Sequence, residues 1–240
     1  MEVFVTPDRF SVPTGDAGAV TALAYASRTA ANVWATLVLA HGAGAGQTSP
    51  FIVSFAAGLA ARGLDVITFN FAYTEQGRRA PNRTPRLETC YRAVVETARA
   101  NRPEMATRPL LIGGKSMGGR IASQIAATPD DDPAGTGSEL DVAGLVLLGY
   151  PLHPPGRPDR MRDAHLQRIG VPMLVVQGSR DSFGTPDELR PVLARLPAAR
   201  LHVVEGGDHS FNIRRTSAPP RERVYATVMD KIVRWAQTVV

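Results

Sequence analysis

Six short, almost unbroken apolar runs alternate with stretches of helical periodicity, and this alternation limits the possible folds more than any other feature of the chain. The runs are residues 35–40, 66–71, 109–113, 144–149, 172–177 and 201–204. A strand that is apolar on both faces must be covered on both, and strands joined through helices pair in parallel. The expectation is therefore an α/β fold: a mostly parallel sheet of about seven to eight strands with helices on both faces. Ser49 followed by Pro50 opens one helix, with Phe51, Phe55 and Leu59 on one side. Another helix is expected over 87–99. Thr185-Pro186-Asp187-Glu188 reads as a capping box, and Val224, Val228, Ile232 and Trp235 form the core stripe of a final helix. Segments around Val3-Phe4-Val5 and 20–25 read as strands of an antiparallel start, and 130–141, rich in Asp, Gly and Pro, as a surface loop.

With 240 residues, 44% of them hydrophobic and 20% charged, the chain suits one domain spanning 1–240 with a sizeable core. The single cysteine, Cys90, leaves no intrachain disulfide to form and is read as a packing residue. No basic-then-apolar leader and no apolar run near the roughly 18 residues of a membrane span is present, so a cytoplasmic protein is expected. The net charge of +5 comes from scattered arginines, without the basic stripe and aromatic platforms of a nucleic-acid module. Neither nucleic acid nor membrane is expected as a partner, and the oligomeric state is left open.

The chemistry is carried by Gly114-Lys115-Ser116-Met117-Gly118, followed in chain order by Asp181 and His209, each just past the end of an expected strand. G-x-S-x-G arises by chance roughly 0.1 times in a chain of this composition, so its setting decides. A strand precedes it, and a helix-like stretch with Ile121 and Ile125 four apart follows. Strand, tight turn and helix form the setting of a nucleophile elbow, with the serine held in a strained backbone conformation. Two look-alikes fail: a P-loop would need glycine where Pro109 stands, and a dinucleotide fingerprint would need it where Gln47 stands.

A serine hydroxyl needs a base, and the base needs a group that holds its tautomer. Asp181 ends Gly178-Ser179-Arg180-Asp181 directly after an apolar run. Asp187 competes with it but is explained by the capping box, while Asp208 adjoins His209 too closely to pair well. Of five histidines, His209 alone has the order and place of a base: His202 lies within a strand, and His153 and His165 lie in a loop. The developing oxyanion is expected to meet the amides of Met117 and Ala43, with His41 ordering the second loop. No C-x-x-C, H-E-x-x-H or Asp-rich calcium loop occurs, so neither metal nor cofactor is expected. Only about 20 residues separate Tyr150 from the next run, too few for a separate cap domain, which implies an open, shallow site. Arg78, Arg79, Arg157 and Arg160 fall in loops after strands, where they can reach its mouth. No substrate-binding residue is assigned.

These residues give the chain a family likeness. In His41-Gly42-Ala43-Gly44, in residues 113–120, in Gly149-Tyr150-Pro151-Leu152-His153-Pro154-Pro155-Gly156 and in residues 206–210 it resembles the compact α/β-hydrolases of the dienelactone-hydrolase-like group. Within that group it is most similar to the branch of testis-expressed protein 30 and the hydrolase-like domain of NSL-complex subunit 3. The resemblance spans about residues 18–238 and implies a Ser116, Asp181, His209 triad with no cofactor. Dienelactone hydrolases proper are similar but use cysteine where Ser116 stands, and the closer branch includes complex subunits. The expected function is a serine hydrolase acting on a carboxylic ester or related small acyl compound. A weakly catalytic or non-catalytic binding module with hydrolase geometry is the alternative, and acyl transfer would use the same residues.

Overall fold

A computed structural model describes residues 6–15, 18–27, 34–101, 107–128, 140–214 and 218–240. Eight strands form one sheet: β1 (Asp8–Pro13), β2 (Ala19–Tyr25), β3 (Ala35–Ala40), β4 (Leu64–Phe69), β5 (Leu110–Lys115), β6 (Gly144–Leu148), β7 (Met173–Gly178) and β8 (Ala199–Val204). Their spatial order is β1-β2-β4-β3-β5-β6-β7-β8. β2 pairs antiparallel with both β1 and β4, and every pairing from β4 to β8 is parallel. The expected α/β-hydrolase architecture is therefore observed. Six α-helices are described: α1 (Pro50–Ala60), α2 (Ala72–Glu75), α3 (Thr84–Asn101), α4 (Met117–Ala126), α5 (Pro186–Leu193) and α6 (Arg221–Ala236).

The unbroken apolar runs are the strands buried on both faces: every residue of β3, β5, β6 and β7 is buried. One face packs on α3 and α4 through Tyr91, Val94, Ile121 and Ile125. The other packs on α1 and α6 through Phe55, Leu59, Val228 and Ile232. The edge strands β1 and β8 are more exposed, as strands covered on fewer sides must be.

Several local expectations are corrected. The first strand among the described residues is Asp8–Pro13, whose polar face hides it from an apolar search. Val3-Phe4-Val5, and most of 130–141, lie outside the described residues. The third helix starts at Thr84 rather than 87, because Pro85 fits a first turn that lacks amide acceptors. Ser49 occupies the N-cap position of α1 in an extended conformation but makes no side-chain cap bond. The Thr185 capping box forms in full. Cys90 is buried, and burial pushes its thiol up to about 11, which suits packing rather than reactivity. Between β6 and β7 the chain adds only a single 3₁₀ turn, Ala164–Arg168, and no cap.

Candidate active site

The parallel strands end on one side of the sheet, and the polar residues singled out above gather there, as ligands do in open α/β sheets. Ser116 takes φ 51° and ψ −116°, a conformation few non-glycine residues adopt. Such strain costs about 1–3 kcal/mol. The fully buried Ile121 and Ile125 of the following helix contribute about 1.5–3 kcal/mol each, enough to hold the turn in place. The elbow also requires glycine at its crossing points. A Cβ on Gly114 would lie 2.6 Å from Ala40 O, and one on Gly118 would lie 2.6 Å from the same oxygen.

Asp181 is fully buried at the side chain. Its Oδ2 accepts from His209 Nδ1 at 2.7 Å and from Gln177 Nε2 at 2.8 Å, and its Oδ1 accepts from Phe183 N at 2.9 Å. These three donors fix the carboxylate, and the carboxylate in turn fixes His209 with Nδ1 protonated, leaving Nε2 as the lone-pair nitrogen. Phe183 stacks on the imidazole at 4.2 Å between centroids. Asp208 shapes the histidine turn instead, accepting from the amides of Ser210 and Asn212. Burial pushes its pKa up, but those bonds and Arg214 outweigh it and hold the carboxyl below its ordinary value. Asp187, the rival acid, is 93% exposed at the side chain. His153 docks on Glu188 of α5 at 3.2 Å, and His165, on the 3₁₀ turn, lies 2.8 Å from the Ser123 hydroxyl.

Ser116 and His209 face one cavity of about 560 Å³, which Ala43 and Met117 also line. No hydrogen bond joins Ser116 to His209 directly. Such contacts often tighten only with substrate bound. Met117 N–H stands in the first turn of α4, where no intrahelical acceptor exists. The Ala43 loop abuts the elbow, since a Cβ on Gly42 would lie 3.5 Å from Ser116 Cβ. His41 ties that loop down: buried, it donates from Nδ1 to Gly42 O at 2.8 Å and accepts at Nε2 from Phe71 N at 3.2 Å. Burial lowers its pKa to about 4, partly opposed by the Gly42 bond, so the ring is neutral and structural at neutral pH.

The structure also assigns work to residues that the sequence reading left unexplained. Gln177 is a buried polar side chain near the end of the apolar strand β7. It accepts from Tyr150 N at 2.8 Å while its amide reaches Asp181 and, at 2.7 Å, Gly184 O. The Tyr150-to-Gly156 element packs on this acid loop, with His153 N donating to Phe183 O at 3.0 Å. None of Arg78, Arg79, Arg157 and Arg160 lines the cavity; Arg120 and Arg162 do. The wall is made by loops and by the first turns of helices rather than by a cap, and the volume is that of an ordinary small-molecule site. Among the described residues, no group of three or more His, Cys, Asp or Glu could hold a metal, and no helix is long and apolar enough to cross a membrane.

Lys115 is the anomaly of the site. Its Nζ is buried with no hydrogen-bond partner, 5.6 Å from the centre of the Phe51 ring. Burial lowers its pKa from 10.5 to about 8, against the pull of Asp181 and Asp208. That displacement corresponds to about 3 kcal/mol of disfavoured charge. The unfolded lysine keeps its proton up to about 10.5, so between pH 8 and 10.5 the unfolded state binds more protons and stability rises with pH. Lys115→Met is therefore expected to stabilise the protein by about 1–3 kcal/mol at pH 7, with the gain shrinking by pH 10.5. Urea denaturation of both proteins at pH 7 and pH 10 measures this. A variant no more stable at pH 7 would contradict the account.

A family model described as an alpha/beta hydrolase domain matches residues 33–237. Among solved structures, a serine hydrolase homologue from Coxiella burnetii is similar with TM-score 0.72 at 16% identity, covering 98% of this chain and 99% of that one. An α/β serine hydrolase without a lid from Xanthomonas campestris reaches TM-score 0.70 at 18% identity, covering 98% of this chain and 96% of that one. A dienelactone hydrolase from Anabaena variabilis reaches 0.71 at 18% identity, covering 98% and 99%. At such identities the likeness speaks for the fold alone.

Proposed function

The chain belongs to the α/β-hydrolase family, and from that membership we propose that it is a serine hydrolase cleaving a carboxylic ester or related small acyl compound through an acyl-enzyme. The observation that carries this reading is the buried Asp181–His209 pair, bonded at 2.7 Å, facing the same cavity as a serine at φ 51°. Ser116 Oγ attacks the acyl carbon while His209 Nε2 takes its proton. The Met117 and Ala43 amides receive the oxyanion, a service worth about 3–4 kcal/mol per donor. The imidazolium, steadied by Asp181, returns the proton to the leaving alcohol. Water, deprotonated by His209, then attacks the acyl-enzyme and restores Ser116. No step needs a metal or cofactor. We further propose that the chain belongs with the branch of testis-expressed protein 30 and the hydrolase-like domain of NSL-complex subunit 3, a likeness to which the Tyr150-to-Gly156 element contributes, and that it works in the cytoplasm.

Labelling with a fluorophosphonate, followed by mapping of the modified peptide, tests the proposal together with hydrolysis of 4-nitrophenyl acetate and butyrate. Adduct formation at Ser116 and serine-dependent hydrolysis are expected. An unlabelled Ser116, with ester hydrolysis no faster than in the Ser116→Ala protein, would favour the binding-module alternative.

A further inference from the structure

Two arginines that the acyl-transfer chemistry does not employ stand in the wall of the Ser116 cavity. Arg120 lies on the first turn of α4, its amide donating to Ser116 O at 3.0 Å. Arg162 is held by its backbone at both ends: its amide donates to Leu152 O at 2.8 Å, and its carbonyl accepts from the buried Tyr150 hydroxyl at 2.6 Å. Both guanidinium groups are thus carried on anchored backbone, one beside the nucleophile and one on the loop after β6.

Among the described residues, neither side chain forms a salt bridge. Arg120 spends one donor on Gln124 Oε1 at 3.1 Å, which leaves most of its five donors uncommitted. Burial pushes its pKa down, and the like charge of Arg162 pushes the same way, against weaker opposing pulls from Tyr150 and from Glu88 of α3. The cavity lining contains Lys115 as a third cation and no aspartate or glutamate. Cations held together in a partly desolvated wall repel each other until an anion enters. A guanidinium is the group best shaped to receive a carboxylate through two parallel hydrogen bonds.

We infer that Arg120 and Arg162 form a carboxylate subsite of the Ser116 cavity, so that the ester turned over there is anionic. The inference rests on the serine-hydrolase reading for the turnover, but not for the binding. Arg78, Arg79, Arg157 and Arg160, placed by the sequence where they can reach the mouth, are not among the residues that line the cavity.

Two experiments separate the claims. In the first, binding of adipate and of the neutral adipamide to the Ser116→Ala protein is measured by calorimetry at low salt and at 0.5 M salt. Adipate is expected to bind, adipamide is not, and both added salt and Arg162→Met should weaken adipate at least about tenfold. In the second, kcat/KM for mono-4-nitrophenyl adipate is compared with that for its methyl ester, and 4-acetoxybenzoate with its methyl ester, placing the charge on the acyl or the leaving side. The wild type should prefer one anionic partner at least about tenfold. That ratio should fall toward unity in Arg162→Met and be partly kept in Arg162→Lys. Adipate binding with inert esters would uphold the subsite and sink the esterase reading. Ester turnover with both ratios near unity, unchanged by Arg162→Met, would overturn the subsite and leave the esterase intact.

Discussion

Asp181→Asn is expected to lower turnover of 4-nitrophenyl acetate by about 10⁴-fold while the protein remains folded. The carboxylate now accepts from three donors, and its Oδ2 takes both His209 Nδ1 and Gln177 Nε2. An asparagine keeps one oxygen and must present an NH₂ group to at least one of those donors. If the amide faces His209, the ring must turn Nδ1 into an acceptor and move its proton to Nε2. That is the nitrogen meant to receive the serine proton, so the base is lost. If the amide takes the place of Oδ1 instead, its NH₂ group meets the Phe183 N–H in a buried site, at a cost of about 1–3 kcal/mol. Loss of turnover should therefore come with a modest fall in the denaturation midpoint, both read on one preparation. Turnover within tenfold of wild type would remove Asp181 from the reaction.

Gly118→Ala should also damage activity, by sterics alone. Gly118 is helical with no positive φ, so alanine would ordinarily gain about 1 kcal/mol there. Its Cβ, however, would lie 2.6 Å from Ala40 O, 2.7 Å from Ala40 C and 2.7 Å from His41 O. All three are backbone atoms, so no side chain can swing aside. The helix must move off the end of β3, and with it the Met117 amide moves relative to Ala43. A net loss of about 1–3 kcal/mol is expected, together with at least about a 100-fold loss of turnover, the effect of roughly 1 Å of misplacement. Gly170→Ala is the control: it has open space around it and no positive φ, and should change stability by no more than about 0.5 kcal/mol. Equal behaviour of the two variants would show that the crossing at Gly118 tolerates a side chain.

Much of this molecule could be read from residue order because the signals are local. Apolar runs of strand length, such as 144–148, can be satisfied only by burial on both faces, and each residue of β6 is buried. Thr185 and Glu188 are three apart, so the box they form needs no distant partner. The order Ser116, Asp181, His209 placed each residue after a strand, and the sheet then carries them to one side. Less was legible where the polar pattern hid a strand, as in Asp8–Pro13, or where a cap residue had a cavity to face, as with Ser49.

Other features depend on residues far apart in the chain, and no period or spacing announces them. Gln177 could be seen as a polar end to an apolar strand, but its role depends on Tyr150, Asp181 and Gly184 meeting around it. The unpartnered Lys115 ammonium is buried beside Phe51, a residue of a distant helix. Loops after strands suggested four arginines for the cavity, yet loop position does not set side-chain direction, and Arg120 and Arg162 stand there instead. Chain order thus carried the fold and the candidate acid, base and nucleophile, because burial of strands and turns at their ends are short-range constraints. The charge lining the cavity and the hydrogen bonds behind Asp181 were settled only by tertiary packing, which brings together side chains that no local pattern relates.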